Sequence, residues 1–427
     1  MSVTVVGIGA DGWPGLAAPA RTACEKAAVV LGAPRQLDLL PDAVTARREE
    51  WPAPLMPSLP GLLDRLGGDE LVVLASGDPM FFGIGTSVLR LRPDATVVPH
   101  PSSVALACGR LGWAEQDVVV LSAVGRPLDA VRAALAPRRR LLVLADSGAL
   151  PGRLAALLVG AGYGAARLTV LGSLGAEHET RVDGVAASWN APDGDPLAIV
   201  AVDCPALPDD GLLGRAPGLP DDAYAHDGQL TKAEMRALSV AALRPLPGQL
   251  LWDVGGGAGS IGIEWCRAEP TARAIAVESR EDRAARITAN ATTLGVPNVR
   301  VVPGRAPEVL AGLEAPDAVF VGGGVSAPGM LDACRRALRP GGRLVANAVT
   351  MEGEAALAAA RTEYGGEIRR IAVSRGRPVG RYLGWKALAP VTQWVLHVGS
   401  RDGTPPTSDG GDIGDVPPPT PPPWRQQ

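Results

Sequence analysis

The stretch that decides the fold of the C-terminal half is Leu250-Leu251-Trp252-Asp253-Val254-Gly255-Gly256-Gly257-Ala258-Gly259-Ser260. It predicts a buried strand, a glycine turn and the start of a helix that ends near Arg267. The alternating glycines Gly255, Gly257 and Gly259 allow a tight turn that brings bare backbone against a ligand. Such a turn before a helix is typical of a nucleoside-cofactor site.

The spacing of these glycines indicates which cofactor binds. A dinucleotide site has the pattern G-x-G-x-x-G, but here Ser260 occupies the position of its third glycine. With Asp253 in front, the pattern is D-x-G-x-G-x-G, which resembles that of S-adenosylmethionine (SAM) methyltransferases. A predicted strand at 272–277 leads to Glu278, whose carboxylate can accept both ribose hydroxyls. The alternative is a structural glycine turn in another doubly wound domain.

Further strands predicted at 299–302, 316–321 and 344–349 extend this sheet. The first is followed by Arg305 and Ala306, which we place at the height of the adenine edge, and the second by Gly322. Because open α/β sheets bind ligands at the carboxyl ends of their strands, these residues are candidates for cofactor contacts. We therefore expect a Rossmann-like class I methyltransferase sheet in this half.

The composition excludes several classes of protein. The 427 residues are 46% hydrophobic and 20% charged, with a net charge of −4, so no strong positive field favours nucleic acid. Glycine, proline or charge interrupts every long apolar run, and no signal-like segment follows Met1, which predicts a cytoplasmic protein without membrane spans. The five cysteines and four histidines are scattered without ligand spacing, so we expect no metal.

The N-terminal half carries a glycine motif of its own. A strand predicted at 3–8 is followed by a formal G-x-G-x-x-G at Gly7, Gly9 and Gly12. Alone, this motif would allow a nicotinamide-dependent oxidoreductase, but the carboxylate expected about 20 residues later in such a site is missing.

Two polar segments in this half follow predicted strands. The first segment is Ser76-Gly77-Asp78-Pro79. The carboxylate of Asp78 either caps a helix that begins at Pro79 or faces a ligand. Pro101-Ser102-Ser103 opens a second helix that extends through Arg110. Strand-end acids lie where α/β folds bind ligands, so we favour the ligand-facing role for Asp78.

These N-terminal segments together resemble the tetrapyrrole methylases of corrin and sirohaem synthesis, which have a two-lobed α/β fold with SAM between the lobes. The chain departs from them at His100-Pro101, where relatives have Pro-Gly. The order of the two halves, with Leu230-Thr231-Lys232 and 375–380, resembles the bifunctional, decarboxylating C(5,15)-methyltransferases of cobalamin biosynthesis. The resemblance covers about residues 1 to 400.

The resemblance implies two SAM sites and no metal. In the N-terminal half the implied cofactor-binding residues are Gly7, Gly9, Ser76, Gly77, Asp78, Phe81, Ser102 and Ser103. In the C-terminal half they are Thr231, Gly255, Gly256, Gly257, Ala258, Gly259, Glu278, Arg305, Ala306 and Gly322. The implied reaction is methylation of precorrin-6B at C-5 and C-15, with loss of the ring-C acetate carboxylate, to give precorrin-8X. Another tetrapyrrole substrate is the alternative within this class.

A polycarboxylate substrate requires cations. Arg375, Arg377 and Arg381 lie with Lys386 in a Gly/Pro-containing stretch between predicted strands, and guanidinium groups bind carboxylates in bidentate fashion. We predict Asp78, Arg375 and Arg377 as catalytic residues, the alternative for the arginines being a solvated basic loop.

The predicted organisation has four parts. A tetrapyrrole methylase domain at 1–204, which methylates C-5, precedes a linker at 205–225. A SAM-dependent methyltransferase domain at 226–400 methylates C-15 and decarboxylates. The proline-rich segment 401–427 has no apolar periodicity and is predicted to be disordered. Relatives of each domain tend to be oligomeric, so we expect a homo-oligomer.

Overall fold

The computed structural model describes residues 2–66, 70–206 and 213–399. It forms two compact units, one of residues 1–215 with 291–297 and one of residues 216–290 with 298–427. The division after Arg215 falls within the stretch 205–225. The segment 401–427, predicted to be disordered, lies outside the described residues.

The first lobe of the first unit is a five-stranded sheet in which every pairing is parallel. Its strands are β1 (Val3–Ile8), β2 (Val29–Gly32), β3 (Arg47–Glu50), β4 (Leu71–Ser76) and β5 (Thr96–Val98), in the order β3-β2-β4-β1-β5. Its helices are α1 (Gly12–Gly15), α2 (Ala18–Lys26), α3 (Pro34–Asp38), α4 (Leu55–Leu66) and α5 (Gly85–Leu91). Helix α6 (Ser103–Leu111) follows β5 along the chain but packs on the sheet of the second lobe, against Leu142, Leu171 and Ile199. The central strands are apolar on both faces because helices cover both sides of the sheet.

The second lobe of this unit is a mixed five-stranded sheet. Its strands are β6 (Val118–Ser122), β7 (Arg140–Leu144), β8 (Arg167–Gly172), β9 (Thr180–Val185) and β10 (Ala198–Asp203), in the order β6-β7-β10-β8-β9. Only the pairing of β6 with β7 is parallel. Helices α7 (Ala130–Ala134) and α8 (Leu150–Gly160) pack on its core.

The second unit contains a seven-stranded sheet and a separate hairpin. Its strands are β11 (Leu250–Val254), β12 (Arg273–Glu278), β13 (Val299–Pro303), β14 (Ala318–Val321), β15 (Arg343–Ala348), β16 (Glu367–Ile371), β17 (Ser374–Val379), β18 (Tyr382–Ala387) and β19 (Val391–His397). The sheet order is β13-β12-β11-β14-β15-β19-β16, parallel except for the pairings that β19 makes. Its helices are α9 (Ala233–Leu243), α10 (Ser260–Ala268), α11 (Glu281–Thr293), α12 (Met330–Ala337) and α13 (Met351–Tyr364). The side chains of Trp252 and Trp394 are fully buried in its core.

Two local predictions are wrong. The residues around Arg375 and Arg377 do not form a loop, because β17 and β18 pair as an antiparallel hairpin. Pro79 does not begin a helix, since the chain turns through 77–84 and α5 begins at Gly85. Short exposed strands that contain glycine and proline give little periodic signal, and Asp-Pro begins turns as readily as helices.

Candidate active sites

The glycine turn of the second unit joins β11 to α10. Gly255 has a φ of 73°, and a Cβ built on it would lie 2.8 Å from the backbone nitrogen of Gly323. Gly257 also has a left-handed φ, 58°, but faces a more open volume, where the nearest atom to a built Cβ is the carbonyl oxygen of Gln229 at 3.6 Å. The turn therefore requires glycine, and it leaves the backbone of Gly255 exposed and that of Gly257 partly exposed, where a ligand can approach closely.

The other predicted turn residues face the protein interior. A Cβ built on Gly256 would lie 3.1 Å from Cδ1 of Ile287, and one on Gly259 would lie 2.6 Å from its Cγ2. Ala258 is buried, and its carbonyl oxygen accepts a hydrogen bond from Asn290 Nδ2 at 2.9 Å. These residues pack against α11 and fix the shape of the turn.

Glu278 lies at the end of β12, directly beside the turn. Its side chain is buried, and its Oε2 accepts a hydrogen bond from the N–H of Gly257 at 2.9 Å. Its Oε1 accepts another from the N–H of Arg280 at 3.0 Å. The structure thus brings the predicted acid and the predicted glycine turn into one site.

The remaining predicted contacts flank this turn. The N–H of Gly304 donates to the carbonyl oxygen of Glu278 at 2.9 Å, so Arg305 and Ala306 follow at the same edge of the sheet. Arg305 is exposed and Ala306 is partly buried. The N–H of Gly322 donates to the carbonyl oxygen of Val254 at 3.0 Å, at the start of the turn.

Asp253, the acid of the motif, is buried beneath the turn. Its Oδ2 accepts a hydrogen bond from the N–H of Gly262 at 2.9 Å, which holds the first turn of α10 against β11. Burial, together with a smaller effect of the nearby charge of Glu278, raises the pKa of this carboxyl to about 7. We infer a structural role for Asp253.

An apolar cavity of about 510 Å³ lies at the carboxyl ends of β14 and β15. It reaches Gly323, the residue that Gly255 approaches. Its apolar side chains include Phe320, Val325 and Val373. Among the described residues that line it, Lys232 carries the only charged side chain. Predicted Thr231 and Gly322 also line this cavity.

A second cavity, of about 540 Å³, adjoins the first, and both are lined by Lys232 and Leu388. Arg375, Arg377 and Lys386 contribute further cations, together with the acids Asp221 and Asp222. Arg375 and Lys386 are paired across β17 and β18, and Arg377 lies two residues along β17, so all three are on one face of the hairpin. We call this space the cationic cavity.

Arg375 is already engaged by carboxylates of its own chain. Its Nε donates to Glu234 Oε1 at 2.9 Å, and its Nη1 lies 3.3 Å from Asp221 Oδ2. The hydrogen bond with Glu234 raises the pKa of Arg375 and lowers that of Glu234. These contacts fix the position of the Arg375 guanidinium at the edge of the cationic cavity, and its catalytic contact with the substrate stays a prediction. Within the part of the chain that the structure describes, Arg377 and Lys386 have no ion-pair partner, and both are exposed.

A buried ion pair holds the segment that enters these cavities. The fully buried Arg236 donates through Nε to Glu264 Oε1 at 2.7 Å, and through Nη1 to Asp221 Oδ1 at 2.9 Å and to the carbonyl oxygen of Thr231. Glu264, on α10, also accepts from the hydroxyl of Tyr224 at 3.0 Å. Residues before 226 therefore belong structurally to the second unit.

The N-terminal motif forms a second glycine site. A Cβ built on Gly7 would lie 2.4 Å from the carbonyl oxygen of Gly77, and one on Gly9 would lie 2.6 Å from Nε2 of His100. The N–H of Gly77 donates to the carbonyl oxygen of Ile8 at 2.9 Å. The predicted glycines of two separate segments therefore meet at the ends of β1 and β4.

The segment after β4 differs from the predicted helix cap. Oδ1 of Asp78 accepts from the N–H of Met80 at 2.8 Å, which stabilises the turn before α5. Ser76 is held by Gln36, whose Nε2 donates to its hydroxyl oxygen at 3.0 Å. Phe81 is 39% exposed and packs edge-on against Phe82. Asp78 is only partly buried, so a face of its carboxylate remains accessible.

The serine pair begins a helix as predicted. Ser102 is the N-cap of α6, and its hydroxyl oxygen accepts from the N–H of Ala105 at 3.0 Å. Ser103 is the first helical residue and is half-buried. A Cβ built on Gly77 would lie 3.6 Å from the Cα of Ser102, so this helix start belongs to the same site.

Several residues at these sites were not predicted as site residues. His100 Nε2 lies 3.2 Å from Asp11 Oδ1 beside Gly9, and Asn347 lines the apolar cavity, held by Ser239 at 3.0 Å. Asp11 could have been predicted as a site residue, because it follows the glycine pair Gly7 and Gly9 by two residues. Asn347 could not have been predicted, because its place in the cavity depends on tertiary packing.

The described residues contain neither a metal-binding cluster nor a membrane-spanning helix. No group of three or more His, Cys, Asp or Glu side chains in 2–66, 70–206 and 213–399 could hold a metal ion. No helix within these ranges is both long enough and apolar enough to span a bilayer.

A glycine turn hydrogen-bonded to a strand-end carboxylate, at the ligand-binding edge of a parallel sheet, defines the second unit as a SAM-type methyltransferase domain. Family models agree, since residues 222–398 match the precorrin methyltransferase domain and residues 2–188 match the tetrapyrrole (corrin/porphyrin) methylases. A Sinorhizobium precorrin-6Y C(5,15)-methyltransferase [decarboxylating] is 47% identical over 394 residues, 92% of this chain and 95% of the relative. The chain belongs to this family, which confirms the predicted fold class and resemblance.

Two other relatives match one part of the chain. A probable cobalt-precorrin-6B C(15)-methyltransferase (decarboxylating) of Pyrobaculum calidifontis is 38% identical over 182 residues, 41% of this chain and 93% of the relative. The crystal structure of the C-terminal domain of a Rhodobacter capsulatus precorrin-6Y C5,15-methyltransferase is 46% identical. It covers 43% of this chain and all of that domain, with a TM-score of 0.41.

Proposed function

We propose that this protein methylates precorrin-6B at C-5 and C-15 and removes the carboxylate of the ring-C acetate, giving precorrin-8X for cobalamin biosynthesis. The observation that carries the proposal is the contact between Gly255 and Gly323. It places the glycine turn directly beside an apolar cavity, which itself adjoins a cationic one. An apolar macrocycle with carboxylate substituents has this same combination of properties.

The residues of the second unit fit SAM. The open volume at Gly257 and the buried carboxylate of Glu278 would receive the adenosyl group and the ribose hydroxyls, with Arg305, Ala306 and Gly322 at its edges. When bound, SAM supplies an electrophilic methyl group on a sulfonium. The role of the protein is then to align the ring carbon and exclude water, which the apolar lining of Phe320, Val325 and Val373 would do.

We assign methylation of C-15 and decarboxylation to the second unit and methylation of C-5 to the first. The name of the Pyrobaculum relative, which matches only 41% of this chain, joins the C(15) and decarboxylating activities. The first unit would use a second SAM site at Gly7, Gly9, Gly77 and the start of α6. Asp78 would face the sulfonium and the incoming ring there.

The domain boundaries need one adjustment for experiment. We propose that residues 1–204 and the C-terminal domain fold separately, as the distinct sheets support. A C-terminal fragment should begin at 216, because one that begins at 226 lacks Asp221 and Tyr224, which are partners of the buried Arg236 and Glu264.

We further propose a cytoplasmic homo-oligomer. All five cysteines are free and buried, as in proteins of reducing compartments. Leu383 and Trp385 on the hairpin are 80% and 82% exposed. Because large apolar side chains are seldom left in water, these exposures support an interface in which another copy of the chain covers them. Sedimentation velocity of the full chain tests this, and a monomer at micromolar concentration would contradict it.

Isotope labelling tests the assignment of the reaction. Precorrin-6B is incubated with the full chain and SAM labelled with carbon-13 in its methyl group, and the product is examined by NMR. We expect labelled methyl groups at C-5 and C-15. Recovery of precorrin-6B without any labelled methyl group would favour the alternative of another tetrapyrrole substrate. Calorimetric binding of NADPH without binding of SAM would instead favour the oxidoreductase.

A further inference from the structure

The two cavities of the second unit differ in charge although they adjoin. The cationic cavity has Lys232, Arg377 and Lys386. In the apolar cavity, the polar side chains of Asn347 and Thr350 are already engaged. Asn347 donates to Ser239, and the hydroxyl oxygen of Thr350 accepts from the N–H of Gly353.

Lys232 lies at the boundary and directs its charge to one side. Its Nζ is 3.8 Å from Asp221 Oδ2, and Asp221 lines the cationic cavity but not the apolar one. The aliphatic stem of Lys232 therefore covers the apolar cavity while its ammonium group lies in the cationic cavity. Apart from Lys232, whose ammonium group pairs with Asp221 of the cationic cavity, the described residues that line the apolar cavity offer a carboxylate no cation.

This difference matters for a substrate that must keep some carboxylates and lose one. A carboxylate in an ion pair is stabilised, whereas one in apolar surroundings is destabilised relative to a transition state in which its charge spreads into the ring. We propose that the two cavities sort the substrate carboxylates. Those that are retained bind Lys232, Arg377 and Lys386, and the acetate that is lost enters the apolar cavity between Phe320, Val325 and Val373. This inference rests on the proposed function.

The electrons balance without a further co-reactant. An electron pair of the ring carbon forms the new bond to the methyl group while the bond between that methyl group and the sulfonium sulfur breaks. The electron pair of the broken bond stays on the sulfur, S-adenosylhomocysteine leaves, and the conjugated ring gains one positive charge. The bond between the acetate CH2 and its carboxylate then breaks, carbon dioxide leaves, and the electron pair neutralises that charge. The CH2 becomes a methyl group by taking a proton from water while the ring releases one.

A cation placed in the apolar cavity tests the proposal. In Val373→Lys the new ammonium group would pair with the acetate, and in Val373→Met a side chain of similar length brings no charge. We expect the lysine variant to lower the rate of decarboxylation relative to methylation about tenfold or more. A methylated product that retains the carboxylate would accumulate in mass spectrometry. The methionine variant, at whatever overall rate it turns over, should not accumulate this product.

Ala389→Lys is the second variant, because Ala389 lines the same cavity at an exposed position where a lysine is compatible with folding. If Val373→Lys does not bind SAM, Ala389→Lys decides the outcome. A normal ratio of decarboxylation to methylation in a folded lysine variant would overturn the sorting proposal. Failure of the unmodified protein to methylate or decarboxylate precorrin-6B would instead overturn the proposed function.

Discussion

Oε2 of Glu278 accepts a hydrogen bond from the N–H of Gly257 at 2.9 Å, so one carboxylate both closes the glycine turn and lines the proposed cofactor space. Glu278→Ala removes this acceptor and, by our account, the partner of the ribose hydroxyls. We expect a loss of about 1.5–3 kcal/mol in SAM affinity at this site, roughly 10- to 100-fold. Titration calorimetry of the full chain should then show one high-affinity site in place of two. Two unchanged sites would contradict the assignment.

Gly257 provides a steric test of the same space. Gly257→Val places a branched side chain at a φ of 58°, in the open volume beside the turn. We expect SAM affinity at this site to fall by about 100-fold or more. Gly312→Ala is the control, since a Cβ there meets no atom within 4 Å and Gly312 has no left-handed φ. Equal SAM binding by the two variants would exclude Gly257 from the cofactor site.

Asp78 separates a turn-stabilising role from a role at the methylation site. In Asp78→Asn the side-chain oxygen can still accept from the N–H of Met80, so the turn should persist. If the charge faces the sulfonium, methylation of C-5 should slow by about tenfold or more while methylation of C-15 and decarboxylation continue. Asp94→Asn, at an exposed position of the same lobe, is the control. A normal rate of C-5 methylation by the Asp78 variant would mean that Asp78 only stabilises the turn.

The cations of the hairpin should affect substrate binding but not SAM binding. Arg377→Ala and Lys386→Ala each remove an exposed cation from the cationic cavity, so each should raise the KM for precorrin-6B by a modest factor, about fivefold. Arg381, which the sequence grouped with these cations, does not line the cationic cavity; it belongs to the hairpin turn and donates to the hydroxyl of Tyr382, so Arg381→Ala is the matched control. Steady-state kinetics would contradict this role if all three variants shared one KM.

Asp253 gives a prediction for pH dependence. Its folded pKa, raised to about 7 by burial, exceeds the value of about 3.9 expected in the unfolded chain. Between these values the folded state binds more protons, so this group costs stability increasingly from about pH 4 to pH 7. Asp253→Asn can still accept from the N–H of Gly262 and does not titrate. Calorimetric unfolding should show a stability gain on the order of 1–3 kcal/mol at pH 8 that disappears near pH 4. A stability gain that does not change with pH would contradict a raised pKa for Asp253.

Sequence patterns located the second sheet closely. The strand predicted at 272–277 is observed as Arg273–Glu278, and that at 299–302 as Val299–Pro303. Buried parallel strands are continuous apolar runs, and glycine turns between them are distinctive. The hairpin β17–β18 was not predicted because Gly376, Pro378 and Gly384 interrupt the alternation of short exposed strands.

The candidate sites were only partly predictable. Glu278 could be placed because it ends a strand of the sheet that carries the glycine turn. The pairing of Arg375 with Glu234 could not, since 141 positions separate them and only the fold brings them together. The same holds for the boundary at Lys232, where two cavities of different character meet.

The central claim is that one chain performs two methylations and one decarboxylation on one tetrapyrrole. Mass spectrometry of precorrin-6B after incubation with SAM and the full chain tests this most directly. Our account predicts a product that has gained two methyl groups and lost one carbon dioxide. A substrate of unchanged mass, or a single methylation without loss of carbon dioxide under excess SAM, would contradict it.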